Sequence, residues 1–522
     1  MTQDEVAPSN FPVLRDRLQI WRSQLAEGGW IPWLILGLAI FLRFFLLGIK
    51  PPHFDEGING WFVDQLTKEG YYKYDPTNYH GPLHFYALFL SEALFGRNVW
   101  ALRLPVVLVS LGCVWLCLKF EPLVGRSVAR VAALAMAVSP GFVFYGRYSI
   151  HEVWLVLFSM MFILGLLGLW KFGTTNYLWS AGMGAAGMIL TKETYMIHIG
   201  CAAIAFPVLM ISNAITRVPD AKRARQTWSG ADLVMVIAAA VGLIVFFYSG
   251  TFFHWSGLKG LYRAYEPWFA TGNEGHGHEK VWYYWIAPLM VRYEWPALIG
   301  LGLCILCQLF KNLSVRYLAI YAVGTLAAYS IVHYKTPWCI ISIIWPFLFI
   351  FGAALLLVPQ TLRVITTIIL GVVMACSLGS TIWLNYFRCT TDTEPYVYVQ
   401  TYNEVHKFTD PLLELARLDP AAHHLNGLII RPSPYPLPWI LGDFSAVGYY
   451  EANNVPANLD ADFLLVEEEK IGDVESKLHD SYYTETLKIR AYQDSSKAYF
   501  REKIFKPLFP NRIPEFKGKK SG

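Results

Sequence analysis

His53-Phe54-Asp55-Glu56 closes a run, Ile31 to Ile49, that is apolar apart from Arg43. Such a run is long enough to cross a bilayer, which takes roughly 20 residues. Two acids within a turn of its exit are costly if they face lipid, so they face water, a cavity or a substrate. If that border looks away from the cytoplasm, the pair is placed for chemistry on a lipid-linked substrate.

The rest of the chain fits this reading. Of its 522 residues 55% are hydrophobic and only 16% are charged, against about 25% charged in a typical soluble domain. The net charge of +4 is small and its basic residues are scattered, which argues against a nucleic-acid partner. Of the eight cysteines only Cys389 lies outside or away from apolar runs, so no disulfide framework is readable. Cys304 and Cys307 form a CxxC inside an apolar helix, where they read as packing residues.

About eleven spans are expected, centred near residues 40, 110, 138, 162, 184, 204, 241, 297, 325, 348 and 374. Residues 1–30 are polar, contain Arg15, Arg17 and Arg22, and precede a first span without a small-residue cleavage site; they read as a cytoplasmic segment before an uncleaved anchor. With that orientation every inside loop is basic: Lys119/Arg126/Arg130, Lys171, Arg217/Lys222/Arg223/Arg225, Lys311/Arg316 and Arg363. By parity the opposite side collects His53–Glu56, Tyr79–Pro82, Arg147–Glu152, Thr191–Tyr195, His276–Glu279 and His333–Trp338. Six segments rich in His and acids on one face predict a single outer site.

Within the first outer loop, residues 50–100, Gly57–Gly70 reads as an amphipathic helix with Ile58, Trp61, Phe62 and Leu66 on its apolar face. Such a helix is expected to lie in the membrane interface, with Asp55 and Glu56 at its N-terminus. A second interfacial piece follows Pro82 and carries His84, Tyr86 and Phe89. From residue 388 to 522 the composition turns soluble. Leu425–Ile430 and Phe463–Val466 read as buried strands, Leu412–Leu418 and Val474–His479 as helical, and Leu487–Ala498 as a strand or hairpin. That is a small extracytoplasmic α/β domain of ~130 residues, enough for its own core. Arg431–Trp439 reads as a rigid Pro-rich turn or a surface for a glycan.

Asp55-Glu56, His80-Gly81-Pro82-Leu83, Ala101-Leu102-Arg103-Leu104-Pro105 and Arg147–Glu152 together resemble the GT-C membrane glycosyltransferases, which include protein O-mannosyltransferases and lipid A aminoarabinose transferases. Thr191-Lys192-Glu193-Thr194, His333–Trp338, Glu394–Thr401 and Pro436-Leu437-Pro438-Trp439 are similar to a narrower group, the flippase-activity-associated proteins of prokaryotic glycosylation loci. The resemblance implies a polytopic α-helical fold of the GT-C type spanning residues 31–387. It also implies a polyprenyl-phosphate-linked sugar donor in a prokaryotic plasma membrane, and a protein, lipid or glycan acceptor.

Asp55 matches the first-loop acid of the superfamily, the expected base that takes the proton of an attacking acceptor hydroxyl in an inverting transfer. Glu56 would orient the acceptor or face water. Glu152 matches the second acid, where the superfamily often has Asp. A departing lipid phosphate needs fixed positive charge; Lys192, Arg147 and Lys335 are the expected contacts. His53, His80, Glu193, His278, Tyr334 and Trp338 are the expected substrate-binding residues.

His276, His278 and Glu279, with Glu274 nearby, offer a possible divalent-metal site, although their spacing is not diagnostic of one. The aromatic run Trp282–Trp285 suits an interfacial belt or a sugar-stacking wall. The competing readings are a flippase for a lipid-linked sugar and a non-catalytic, flippase-associated subunit. A transporter tends to show internal repeats and mid-bilayer breaks, and neither is evident in the sequence.

Overall fold

The computed structural model describes residues 29–217, 225–274, 277–451 and 454–518. The expected N-terminal segment, with Arg15, Arg17 and Arg22, therefore lies outside the described residues, as do Lys222, Arg223 and His276 apart from the remainder of their loops.

The helices that position the site are α1 (Ile31–Phe44), α2 (Phe54–Glu69), α3 (Leu83–Phe95), α4 (Val99–Lys119), α5 (Arg126–Val138), α6 (Glu152–Phe172), α7 (Thr175–Ile189), α8 (Tyr195–Thr216), α9 (Gly230–Tyr248), α10 (Trp295–Cys307), α11 (Leu313–Ile331), α12 (Ile340–Leu357) and α13 (Arg363–Ile382). A helix lies at each expected span centre. Among the described residues six helices are long and apolar enough to cross a membrane alone, and the pair Trp285–Tyr293 and Trp295–Cys307, bent by 119°, would make a seventh span. The others at those centres, α1, α5, α7 and α11, are shorter or more polar, so length and composition do not establish a count of eleven.

The bundle is built around α12, in which every residue from Ile340 to Ala354 is buried. A helix apolar on all sides belongs inside a membrane core. By contrast α9 and α13 are mostly exposed, as expected of lipid-facing helices. The one basic residue of the first span is buried: Arg43 donates to Ser110 Oγ at 2.7 Å and to the carbonyls of Ala137 and Met136 at 3.2 and 3.3 Å. Carbonyls at the end of α5 thus take the charge that lipid would refuse.

Helix α2 begins where the acids predicted it. Asp55 N–H donates to His53 Nδ1 at 3.0 Å and His53 N–H to Glu56 Oε2 at 2.8 Å, a reciprocal cap. Gly70 ends the helix in a left-handed conformation. Its deeply buried side differs from the expected apolar face. Glu56, Gly57, Asn59, Gly60, Val63, Asp64 and Leu66 are buried, while Ile58, Trp61 and Phe62 are only partly covered. The reason is that protein lies on both sides of α2. Trp439 and Pro436 press on it so closely that a Cβ on Gly60 would lie 2.1 Å from Trp439 Cδ1, and one on Gly57 2.4 Å from Pro436 Cα. The Pro-rich segment is therefore a docking turn against the first loop.

The C-terminal unit is a six-stranded sheet of order β2-β1-β3-β5-β4-β6, comprising β1 (Gly427–Ile430), β2 (Val447–Tyr450), β3 (Phe463–Glu467), β4 (Ser481–Leu487), β5 (Ser496–Arg501) and β6 (Phe516–Lys517). β1 runs parallel to β2 and β3, and the remaining pairs are antiparallel. Ile429, Leu465 and Phe500 face the helix His406–Leu418, while Leu428, Leu464 and Tyr499 face Val474 and Leu478. The period-two alternation of a sheet covered on both faces accounts for the near-continuous apolar runs of β1 and β3. Cys389, Tyr396 and Val397 still belong to the membrane core; the sheet's core starts at Val405.

Candidate active site

All six polar segments that parity placed on one side meet at one end of the bundle. His53 and Tyr148 rings lie 4.6 Å apart, and His53 meets Trp338 edge-on at 6.2 Å. Gly81 N–H donates to Thr191 O at 3.1 Å, and the His80 ring sits 4.6 Å from that of His151. Lys335 N–H donates to His278 O at 3.1 Å, within a short antiparallel bridge between Glu279 and Tyr334. The segment Glu394–Thr401 joins them: the Tyr398 carbonyl accepts from His53 Nε2 at 2.7 Å, and its hydroxyl pairs with His278 Nδ1.

The acids and bases at this junction are arranged as pairs around a cavity of about 390 Å³. Lys192, His80, Glu193, His333, Tyr334 and Trp338 contribute to its wall. Lys192 Nζ forms an ion pair with Glu152, the first residue of α6. Burial alone would lower the Lys192 ammonium, but Glu152 and Glu193 outweigh it and hold the charge on. His80 Nδ1 lies 2.9 Å from Glu193 Oε2. Burial would raise the Glu193 carboxyl, whereas His80 and Lys192 bring it below its usual range. The cavity thus brings a lysine–carboxylate ion pair and a histidine–carboxylate hydrogen bond next to aromatic surface.

Asp55 and Glu56 have separate fates. Glu56 is 0% exposed and accepts from Arg103 Nε at 2.8 Å, Arg103 Nη2 at 2.7 Å, Ser149 N–H at 2.9 Å and His53 N–H at 2.8 Å. Burial pushes its pKa up, but Arg103 and Lys50 overcome this and leave it at about 2. Glu56 therefore neither faces water nor reaches an acceptor; it ties the first loop to the Leu-Arg-Leu-Pro stretch of α4. The Asp55 side chain is 30% exposed and accepts no hydrogen bond among the described residues; the nearest imidazole atom, His53 Nδ1, lies 3.7 Å away. Asp55 stands beside the cavity, not in its wall. Together with burial, its charge helps raise the phenol of Tyr79, pushed up to about 12, and those of Tyr334 and Tyr398. His53 accepts the Asp55 N–H on Nδ1, so its proton lies on Nε2, which donates to Tyr398 O.

Two further expectations are corrected. Arg147 does not reach the cavity: it donates to the carbonyls of Leu42, Phe45 and Leu46 at 2.9, 2.7 and 2.7 Å and to the Tyr386 hydroxyl at 3.1 Å. It caps the C-terminal end of α1, a place where a cation is favoured by the helix dipole. Lys335 likewise turns to backbone, donating to Lys280 O at 3.3 Å and to Val332 O. Of the metal candidates, His276 lies outside the described residues. His278 is engaged by Tyr398 and Glu279 is exposed, and among the described residues no three His, Cys, Asp or Glu are grouped to hold an ion.

Some of the site was not singled out from the sequence. Trp268 and Phe269, on a short helix Tyr265–Glu274, cover the cavity from a loop that reads as featureless. Tyr398 was visible only as part of a motif. Arg103 was visible as a charge in an apolar helix, which by itself signals a buried partner.

Residues 79–246 match the family model described as dolichyl-phosphate-mannose-protein mannosyltransferase. No curated protein matches the chain. Among solved structures, ArnT from Cupriavidus metallidurans bound to undecaprenyl phosphate aligns with a TM-score of 0.58 at 15% identity, over 90% of this chain and 98% of that one. Its apo form gives 0.59 at 15%, over 91% and 98%. The Archaeoglobus fulgidus oligosaccharyltransferase tethered to an acceptor peptide aligns with a TM-score of 0.51 at 11% identity, over 87% of this chain and 72% of that one. The chain shares its overall fold with ArnT and with this oligosaccharyltransferase.

Proposed function

We propose that this chain is a membrane glycosyltransferase that moves a sugar from a polyprenyl-phosphate donor to an acceptor hydroxyl on the extracytoplasmic face. The observation that carries this reading is the contrast among the site's carboxylates. Glu56, Glu152 and Glu193 are each held by a cation or an imidazole, whereas Asp55 is accessible and accepts no hydrogen bond among the described residues. A general base must be free to receive a proton.

The Asp55 carboxylate takes the proton of the acceptor hydroxyl while that oxygen attacks the anomeric carbon. The bond from that carbon to the phosphate oxygen breaks, and its electron pair leaves with the polyprenyl phosphate, giving inversion. Lys192, which lines the cavity, receives the phosphate by exchanging Glu152 for it; charge-assisted bonds of that type are among the stronger ones. Bound undecaprenyl phosphate in the structurally similar ArnT supports a donor of this class. The basic inside loops support a multi-pass protein with a cytoplasmic N-terminus and an extracytoplasmic C-terminal domain, and the resemblance to proteins of prokaryotic glycosylation loci supports a prokaryotic plasma membrane. The narrower likeness to flippase-activity-associated proteins supports a place in surface glycosylation.

The test is sugar transfer from a panel of undecaprenyl-phosphate sugars by the purified protein, with and without chelator. Transfer by the wild type that Asp55→Asn abolishes is expected. Transfer that survives in Asp55→Asn would overturn the assignment.

A further inference from the structure

A second cavity is larger than the one just described. It is a groove of about 930 Å³ between α2 and α3 on one side and the sheet domain on the other. Its walls include the rings of Trp61, Tyr435 and Tyr449, with Gln65, Asp443 and Ser445 among them. Tyr449 is 37% exposed, so its ring is available to a ligand. Neither cavity shares a wall residue with the other.

The groove's charge is largely cancelled internally. Arg97 donates to Asp64 and to Trp439 O at 2.8 Å, and its Nε lies 3.2 Å from Asp443. Glu92 accepts from Trp439 Nε1 at 3.1 Å, and burial lifts its carboxyl to about 7 despite the pull of Arg97. A basic peptide would find little free negative charge, and a phosphate would find Arg97 already engaged and Lys68 set beside the Asp64 carboxylate. What is offered is aromatic faces interleaved with amide, hydroxyl and carboxyl groups. That combination suits rings with apolar C–H faces and equatorial hydroxyls.

The groove also has a direction. Trp61 and Gln65 lie on the same side of α2 as Phe54, since residues spaced by seven and eleven share a helix face. Phe54 meets the Tyr435 ring edge-on at 5.9 Å and lies under the Arg490 guanidinium at 4.1 Å. One end of the groove thus reaches the residue that precedes Asp55.

We propose that this groove binds a neutral, hydroxyl-rich saccharide chain, and that the chain is the acceptor or the part of it adjoining the reacting hydroxyl. The acceptor role rests on the transferase reading above; the saccharide site does not.

The experiment uses the full-length protein in nanodiscs and measures binding of mannotetraose, maltotetraose and chitotetraose by saturation-transfer NMR and tryptophan fluorescence, with octalysine as a control peptide. At least one oligosaccharide is expected to bind. Trp61→Ala and Tyr449→Ala should each weaken it about tenfold, as loss of a stacking ring does, while Trp61→Phe stays within about threefold. Tyr334→Ala, in the other cavity, should leave it unchanged. The proposal is overturned if no oligosaccharide binds, if neither Ala variant changes binding, if Tyr334→Ala alone removes it, or if octalysine binds in their place. Undecaprenyl phosphate binding is followed in the same preparations. Its absence beside intact saccharide binding would count against the transferase and leave the groove standing.

Discussion

Asp55 and Glu56 are neighbours in the chain and opposites in environment: the first is 30% exposed and accepts no hydrogen bond among the described residues, the second is wholly buried in a bidentate pair with Arg103. One acid is left accessible while the other fixes the loop that carries both. Substitutions at the two positions should therefore fail in different ways.

Asp55→Asn should lower turnover by about 10²–10⁴-fold, the usual contribution of a general base. Undecaprenyl phosphate affinity and thermal stability should stay near wild type, since no bond of the folded chain depends on this carboxylate. Single-turnover assays beside thermal unfolding check both halves.

Arg103→Met should cost stability by about 3–5 kcal/mol, because it strands the buried Glu56 charge. Pairing it with Glu56→Gln should recover a good part of that loss. Thermal or denaturant unfolding of the two single variants and the double variant measures the coupling.

The same pair predicts an acid limit. Glu56 is held at about 2 in the folded chain against 4.5 in a free carboxyl. Its lowered value means the pair stabilises fully above pH ~4.5, and the contribution of about 3 kcal/mol fades as pH falls towards ~2. An unfolding midpoint followed from pH 6 to pH 3 should drop in that window, and the drop should shrink in Glu56→Gln.

Lys192→Met and Glu152→Gln should shift donor binding in opposite directions. Removing the ammonium should weaken undecaprenyl phosphate about 10–100-fold, the value of a hydrogen bond to a charged group. Removing the competing carboxylate should tighten it by up to about tenfold. Equal weakening in both variants would mean that the pair is purely structural.

Gly60→Ala would put a methyl group into the Trp439 indole. Overpacking of that kind costs about 1–3 kcal/mol. It should loosen the sheet domain from the first loop, which limited proteolysis between residues 388 and 405 would report as faster cleavage.

Much of this was legible in the sequence. Alternation of basic loops with His- and acid-bearing ones put six segments on one side, and those six do meet. The start of α2 followed from Asp55 and Glu56, and the buried strands at Gly427 and Phe463 from apolar runs too short for helices. The errors share one cause. Arg147 and Lys335 have the charge to bind phosphate, but only three-dimensional placement shows carbonyls at the end of α1 and in the Val332 turn claiming them first. The inward face of α2 was misjudged for a related reason. Hydrophobic periodicity reports where lipid or core lies, and it is silent where two small glycines admit a proline and an indole from nearly 400 residues away in the chain.

That contact bears on how such proteins diversify. Because Pro436 and Trp439 seat directly on the helix whose first turn carries Asp55, the sheet domain and the first loop form one packed unit, and a chimaera that swaps residues 405–518 alone is left with a mismatched seat. Exchanging residues 54–69 along with them would move both sides of that contact together while leaving the membrane helices in place.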